Sequence, residues 1–154
     1  MEDLNTLWPE TSDNPAGIYF TSHEVSFTLQ NAEDIKAWIL ETISLEGYSL
    51  HRLDFVFCTD SFLLEMNRQH LNHDYFTDII TFPLADDPIE AEVYISLDRV
   101  KDNAKSFGTA FERELHRVII HGVLHLCGYD DYENTDIEMM RDKEQACLER
   151  LLKD

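Results

Sequence analysis

Long apolar runs are missing from this chain, and so is a basic, apolar leader. No stretch of about 18 consecutive apolar residues occurs, which argues against a membrane-spanning helix. The chain begins with MEDLNTLWPETSDNPAG, which is acidic and polar where a secretory signal is basic and then apolar. We therefore expect a cytoplasmic protein without a membrane partner.

Paired cysteines are also missing. Cys58, Cys127 and Cys147 are widely spaced, and no two of them form a Cys-x-x-Cys pair. An odd number of isolated cysteines argues against both a disulfide framework and a zinc ribbon. We expect all three to be buried thiols.

Basic residues are scarce. Twelve Lys and Arg face 31 Asp and Glu, which gives a formal net charge of -19. Such a charge repels nucleic acids at long range. A local basic stretch nevertheless contains Arg99, Lys101, Lys105, Arg113 and Arg117. It is either a solvated helical face or a patch that faces phosphate, and both interpretations stay open.

The size and composition suit one domain. The chain has 154 residues, of which 44% are hydrophobic and 11% aromatic, enough for one core. Residues 1–15 contain two prolines among polar residues, so we expect a polar N-terminal arm. Residues 16–154 are expected to form a single metal-hydrolase-like domain.

Hydrophobic periodicity and turn residues predict strands interleaved with helices. The predicted strands cover residues 18–20, 25–29, 53–58, 78–83 and 92–96. The predicted helices run from Asn31 to Gly47, from Asp60 to about Leu71, from Ser96 or Asp98 to Gly108, from a Thr109 and Glu112 capping box to Gly128, and from a Thr135 and Glu138 capping box to about Leu152. This order indicates an α+β or α/β layer with a small mixed sheet, and we adopt α+β.

The segment HGVLHLCGYDD, residues 121–131, carries the chemistry of the chain. His121 and His125 are four residues apart, so on a helix they project from the same face. Gly128 allows the chain to reverse, and Asp131 can then return a carboxylate to the two histidines. Zinc accepts these ligand types, and three protein ligands leave a position for water. The spacing predicts a site for one divalent metal ion, with zinc expected, on a buried helix and the turn after it.

The residue after the first histidine separates two kinds of metal hydrolase. The best-known zinc protease motif has a glutamate at that position as its general base. This chain has Gly122 there. Because peptide hydrolysis normally needs a base beside the metal, a protease is disfavoured, and no general base can be named from the sequence.

Two blocks of the sequence resemble one known family. HGVLHLCGYDD resembles the HGxLHLxGYDH signature of the YbeY family, bacterial metal-dependent endoribonucleases implicated in ribosomal RNA maturation and ribosome quality control. The second block of that family is similar to Asn67 followed by TDIITFP, residues 77–83, and EVYIS matches the strand after it. The resemblance covers about residues 50–150.

The resemblance implies a fold, an activity and partners. It implies a four-stranded sheet with about five helices, and a metal hydrolase that acts on single-stranded RNA. The expected substrate is ribosomal RNA, and the expected partner is the small ribosomal subunit. Two alternatives remain open, namely a metal hydrolase of another substrate such as peptides, and a non-catalytic ribosome-associated factor with a structural metal.

The chain departs from the family pattern at three places. Asp131 replaces the third histidine, Ala91 and Glu92 replace Gly-Asp, and Leu71 stands where an arginine is expected. Aspartate is a good zinc ligand, whereas leucine cannot bind phosphate. Arg117, one turn before His121, is either a substitute for the missing charge or a plain surface residue.

Three further residues near these blocks could in principle bind metal. His70 and His73 are three residues apart, but helix-end surface histidines are commoner than ligands. Cys127 adjoins the motif, although a helical residue two positions after His125 points away from it. We expect none of the three to be a ligand.

Overall fold

The computed structural model describes residues 17–73 and 75–153 of the chain. Within these ranges it forms one α+β domain of four strands and five helices, as the family resemblance implies. The N-terminal arm predicted for residues 1–15 lies outside the described residues. No helix in these ranges is both long and apolar enough to cross a membrane.

The four strands form one mixed sheet in the order β1-β2-β4-β3. The strands are β1 (Ile18–Ser22), β2 (Leu50–Cys58), β3 (Ile79–Asp86) and β4 (Ile89–Ser96). β1, β2 and β4 are parallel to one another, whereas β3 pairs antiparallel with β4 across a short hairpin. The predicted strand at residues 53–58 lies within β2, which is an interior strand of the sheet.

Five helices cover this sheet. They are α1 (Ala32–Leu45), α2 (Asp60–Leu71), α3 (Leu97–Phe107), α4 (Phe111–Leu126) and α5 (Asn134–Lys153). Alternate strand residues face opposite sides of the sheet, so Ile79 joins the main core with α1, α4 and α5. Ile80 instead joins a second cluster with Leu63 of α2 on the other side.

The helix α4 runs through the main core. Five of its side chains between residues 118 and 124 are 0–1% exposed: Val118, Ile119, Ile120, Val123 and Leu124. Full burial of each such side chain contributes about 1.5–3 kcal/mol. Beyond the helix, Gly128 adopts a φ of 99°, a conformation that favours glycine. The residues that follow Gly128 therefore continue directly from a helix that is fixed in the core.

One predicted strand is absent from the described residues. The chain at residues 25–29 forms no strand, although its apolar and polar residues alternate. Ser22 Oγ donates a hydrogen bond to the carbonyl oxygen of Phe27 at 2.8 Å, which folds the segment back on itself. The ring of Phe27 packs edge-on against Phe57, with 5.1 Å between ring centroids. Phe27 is therefore partly buried by this packing and not by strand pairing.

The predicted bounds of α2 agree with the structure, although Asp60, which we expected to cap this helix, is not its N-cap; the predicted start of α3 is confirmed. Thr59 caps α2 in place of Asp60, because its hydroxyl accepts a hydrogen bond from the N–H of Phe62. Asp60 instead binds Arg99, with 2.9 Å between Oδ2 and Nη2. Ser96 caps α3, and Gly108 follows its end.

Both predicted capping boxes are wrong. The N–H of Thr109 donates to the carbonyl oxygen of Ala104, so Thr109 completes the end of α3 and does not cap α4. The N-cap of α4 is Ala110, which has no capping side chain. Thr135 lies inside the first turn of α5, because the N–H of Ile137 already donates to the carbonyl oxygen of Glu133.

Candidate metal centre

The helix α4 places its two histidines side by side. The rings of His121 and His125 meet edge to face, with 4.6 Å between their centroids. Both side chains are partly exposed, at 17% and 25%. The predicted pair therefore lies where the core helix reaches solvent.

Asp131 returns to this pair after the turn at Gly128. Its Oδ2 lies 3.5 Å from Nε2 of His121 and 3.4 Å from Nε2 of His125. One ligand atom from each of the three residues lies within 4.8 Å of the others, and no other such group of three occurs in residues 17–73 and 75–153. The structure thus brings together the three residues that the sequence singled out.

The donor atoms fit a zinc-type ion. Zinc binds imidazole nitrogen and carboxylate oxygen at about 2.0–2.2 Å, so the donors of a tetrahedral site lie about 3.4 Å apart. The two separations from Asp131 match this spacing. Two imidazoles and one carboxylate also form a donor set typical of catalytic zinc.

Glu144 holds the far side of His121. Its Oε2 lies 2.5 Å from Nδ1 of His121, and the residue is only 3% exposed. Because a carboxylate accepts hydrogen bonds, this contact favours the proton on Nδ1 and leaves the Nε2 lone pair facing Asp131. Glu144 comes from α5, and sequence spacing gave no indication of its role.

Arg117 neutralises two buried carboxylates beside the histidines. Its guanidinium donates to both oxygens of Glu114, at 2.9 and 2.7 Å, and to Oε1 of Glu144 at 3.1 Å. Glu114 is 2% exposed. These bonds, led by those to Glu114, raise the pKa of Arg117 above its ordinary value. The interpretation of Arg117 as a plain surface residue is wrong, and its charge is already engaged by protein carboxylates.

Asp78, just before β3, lies next to this network. Burial raises the pKa of its carboxyl above the ordinary value, while Arg117 and His121 offset part of that effect. The side-chain amide of Asn103 donates to its Oδ2 at 3.1 Å. Glu92 instead accepts a hydrogen bond from the hydroxyl of Tyr94. Among the described residues it makes no hydrogen bond to Arg117, Asp78 or the histidines.

The other candidate ligands lie apart from the centre. His73 contacts the hydroxyl of Tyr75, and His70 packs edge-on against the ring of Phe82. Cys127 is buried, and burial raises its pKa to about 12. A neutral, buried thiol is what the sequence predicted for Cys127.

Gly122 faces away from the histidines and against the sheet. A Cβ atom at this position would lie 2.7 Å from Cδ1 of Ile79 and 3.5 Å from Cγ1 of Val93. The glycine therefore allows α4 to approach β3 and β4 closely. A glutamate side chain at residue 122 would have to displace this packing.

A cavity of about 440 Å³ opens beside the centre. His121, Asp131 and Arg117 line part of the cavity, and side chains of α5 and the end of α3 form the rest. The cavity gives a small molecule or one unit of a polymer access to the three converging donor atoms.

Comparison with known proteins finds one family that matches most of the chain. The family model described as Endoribonuclease YbeY matches residues 18–152. The Endoribonuclease YbeY of Cytophaga hutchinsonii is 44% identical over 85% of this chain and 93% of its own length. The Endoribonuclease YbeY of Amoebophilus asiaticus is 46% identical over 86% of this chain and 92% of its own length. A solution structure from Thermotoga maritima matches with a TM-score of 0.62 and 28% identity, covering 87% of this chain and 88% of its own.

Proposed function

Because this chain belongs to the YbeY endoribonuclease family, we propose that it is a zinc-dependent enzyme that cuts single-stranded RNA in ribosomal RNA maturation and ribosome quality control. Membership of the family makes it a nuclease that hydrolyses RNA. The ion, the RNA and the cellular process are the proposed parts. The observation that supports them most is the convergence of ligand atoms from His121, His125 and Asp131 within 4.8 Å.

In this proposal His121, His125 and Asp131 hold the metal ion. A divalent ion bound here would supply Lewis acidity, either by activating a water molecule or by polarising a phosphate oxygen while the RNA 2′-hydroxyl attacks the phosphorus. Glu144 holds the ring of His121 by its Nδ1 and so keeps Nε2 directed toward Asp131. Arg117 balances the charge of Glu144 and Glu114. This pairing offsets the energetic cost of burying two carboxylates next to the site.

The proposed process also determines where the protein works. Action on ribosomal RNA places it in the cytoplasm, with the small ribosomal subunit as its partner. The chain is acidic, with a net charge of -19, so it repels RNA at long range. Recognition then depends on contacts at the site itself.

Peptide hydrolysis fits the geometry less well. Gly122 occupies the position where a zinc protease carries its general base, and it packs against Ile79 of β3. A purely structural metal also fits less well, because structural zinc sites are closed by four protein ligands. Three ligand atoms converge here within the described ranges, which favours an open coordination position.

Cleavage of labelled RNA tests the proposed function. The purified chain is incubated with a single-stranded RNA and, separately, with the same strand in a duplex, and His125→Ala serves as the inactive control. We expect zinc-dependent cleavage inside the single strand, weak cleavage of the duplex and none by the variant. Equal cleavage by the parent and by His125→Ala would show that the activity does not come from this site.

A further inference from the structure

The cavity beside the metal centre has the size and position of a binding site. Its volume of about 440 Å³ falls within the range of about 300–1,000 Å³ typical of ligand pockets. It lies between α4, α5 and the end of α3, and His121 and Asp131 form part of its wall. A group bound in it is therefore adjacent to the reacting centre.

One wall of the cavity offers an aromatic ring to solvent. Phe107, the last residue of α3, is 63% exposed although it is large and apolar. Ile137, Met140 and Leu148 of α5 add apolar surface to the same cavity. Nucleobases stack on exposed aromatic rings, and this stacking is tolerant of sequence.

The cavity is also lined by an arginine, Arg141, for which no ion-pair partner is found among the described residues. Arg117 is already paired with Glu114 and Glu144. Arg141 of α5 lines the cavity and is exposed, and no ion pair to it is found within residues 17–73 and 75–153. An arginine guanidinium matches the geometry of a phosphate group, with two N–H donors directed to two oxygens.

From these features, and resting on the ribonuclease function proposed above, we infer that the cavity binds one unpaired nucleotide of the RNA strand, with its base stacked on Phe107 and its phosphate held by Arg141. A base that is paired and stacked within a duplex cannot also stack on Phe107. The cavity therefore favours single-stranded over double-stranded RNA.

Binding of RNA to the full-length, zinc-loaded chain tests this inference. The probe is a fluorescent single-stranded RNA of about ten nucleotides, measured by anisotropy in the cold, with a gel to confirm that the probe stays intact. Phe107→Ala should weaken binding about tenfold, since one stacked base contributes about 1–3 kcal/mol. Phe107→Tyr keeps an aromatic ring and should bind like the parent.

Salt dependence isolates the role of Arg141. Arg141→Ala should weaken binding and reduce the slope of log affinity against log salt by about 0.7, the value for one phosphate contact in a single strand. Arg141→Lys should restore the slope, because it keeps the charge, and only part of the affinity.

Two matched variants control for general effects. Leu84 of β3 is 63% exposed, like Phe107, so Leu84→Ala removes an equally exposed apolar side chain elsewhere. Arg68→Ala removes one positive charge from α2, which packs on the opposite side of the sheet from the main core. Both should bind RNA like the parent, and all variants should retain the circular dichroism of the folded chain.

The outcomes separate this inference from the proposed function. If the parent binds and cuts RNA while Phe107→Ala and Arg141→Ala bind it equally well, the inference is overturned and the ribonuclease function stands. Equal losses in the test and control variants also overturn it. A parent chain that neither binds nor cuts RNA would refute both.

Discussion

Nδ1 of His121 on α4 and Oε2 of Glu144 on α5 lie 2.5 Å apart, which joins two helices at the candidate metal centre. The contact orients one of the proposed ligands, and the carboxylate that makes it is almost fully buried. Arg117 bonds the other oxygen of Glu144, so the buried charge is compensated on both sides. The metal site is thereby coupled to the packing of the domain.

Replacing Glu144 should weaken metal binding although Glu144 is not itself a proposed ligand. We expect Glu144→Ala to lower zinc affinity about 10- to 100-fold. Loss of a group that hydrogen-bonds the other ring nitrogen of a metal-binding histidine typically has an effect of this size. Glu144→Gln keeps an acceptor oxygen and should lose less. Competition with a chromogenic chelator measures the affinity, and Glu149→Ala, an exposed site on the same helix, is the control. A Glu144→Ala chain that binds zinc like the parent would contradict the orienting role.

Variants at Asp131 test the third ligand. Asp131→Ala removes a carboxylate and should strongly lower zinc affinity, whereas Asp131→His keeps three ligands and should retain binding. The adjacent and exposed Asp130 supplies the matched control, Asp130→Ala. Bound zinc per chain is measured for the three variants. If Asp130→Ala loses zinc while Asp131→Ala keeps it, the ligand after Gly128 has been assigned to the wrong residue.

Gly122→Glu tests why the chain lacks the protease base. The new carboxylate would be forced against Ile79 and Val93, so we expect the free energy of unfolding to fall by more than about 3 kcal/mol, with no peptidase activity gained. Gly122→Ala, which requires Ile79 Cδ1 alone to shift, should cost less. Urea unfolding measures both variants. A stable Gly122→Glu chain that cleaves a peptide would overturn this interpretation.

His116 should make the stability depend on pH. Burial lowers its pKa below the ordinary value of 6.5, and no hydrogen-bond partner for its Nε2 is found in the described part of the chain. Between the lowered pKa and 6.5 the unfolded chain binds more protons than the folded one, so the free energy of unfolding falls as pH drops through this window. His116→Phe should reduce this loss, as measured by urea unfolding between about pH 5 and pH 7.5. An unchanged pH dependence in His116→Phe would show that His116 does not cause it.

Four of the five predicted strands, the five helices and the three-residue cluster were predictable because their signals are local. Periodicity indicated the strands and helices, and one segment of the sequence, residues 121–131, contains the whole cluster. Hydrogen-bond partners were less predictable. Thr109 resembled an N-cap but completes the preceding helix, since Gly108 ends α3 one residue earlier.

The charged network around the cluster depends on tertiary packing. Glu144 reaches His121 because α5 packs against α4, and no spacing rule connects residues 23 positions apart on two helices. Glu114 resembles an ordinary surface glutamate in sequence, yet it is 2% exposed and paired with Arg117. Side-chain burial of this kind follows from how the helices cross and not from their periodicity.

The central claim is that one zinc ion at His121, His125 and Asp131 is required for RNA cleavage. The most direct measurement follows zinc per chain and the rate of single-stranded RNA cleavage together, first after removal of the metal by a chelator and then during stepwise return of zinc. We expect the rate to vanish with the metal and to rise in proportion to bound zinc until about one ion per chain is reached. Full cleavage by a chain shown to contain no metal would contradict the claim.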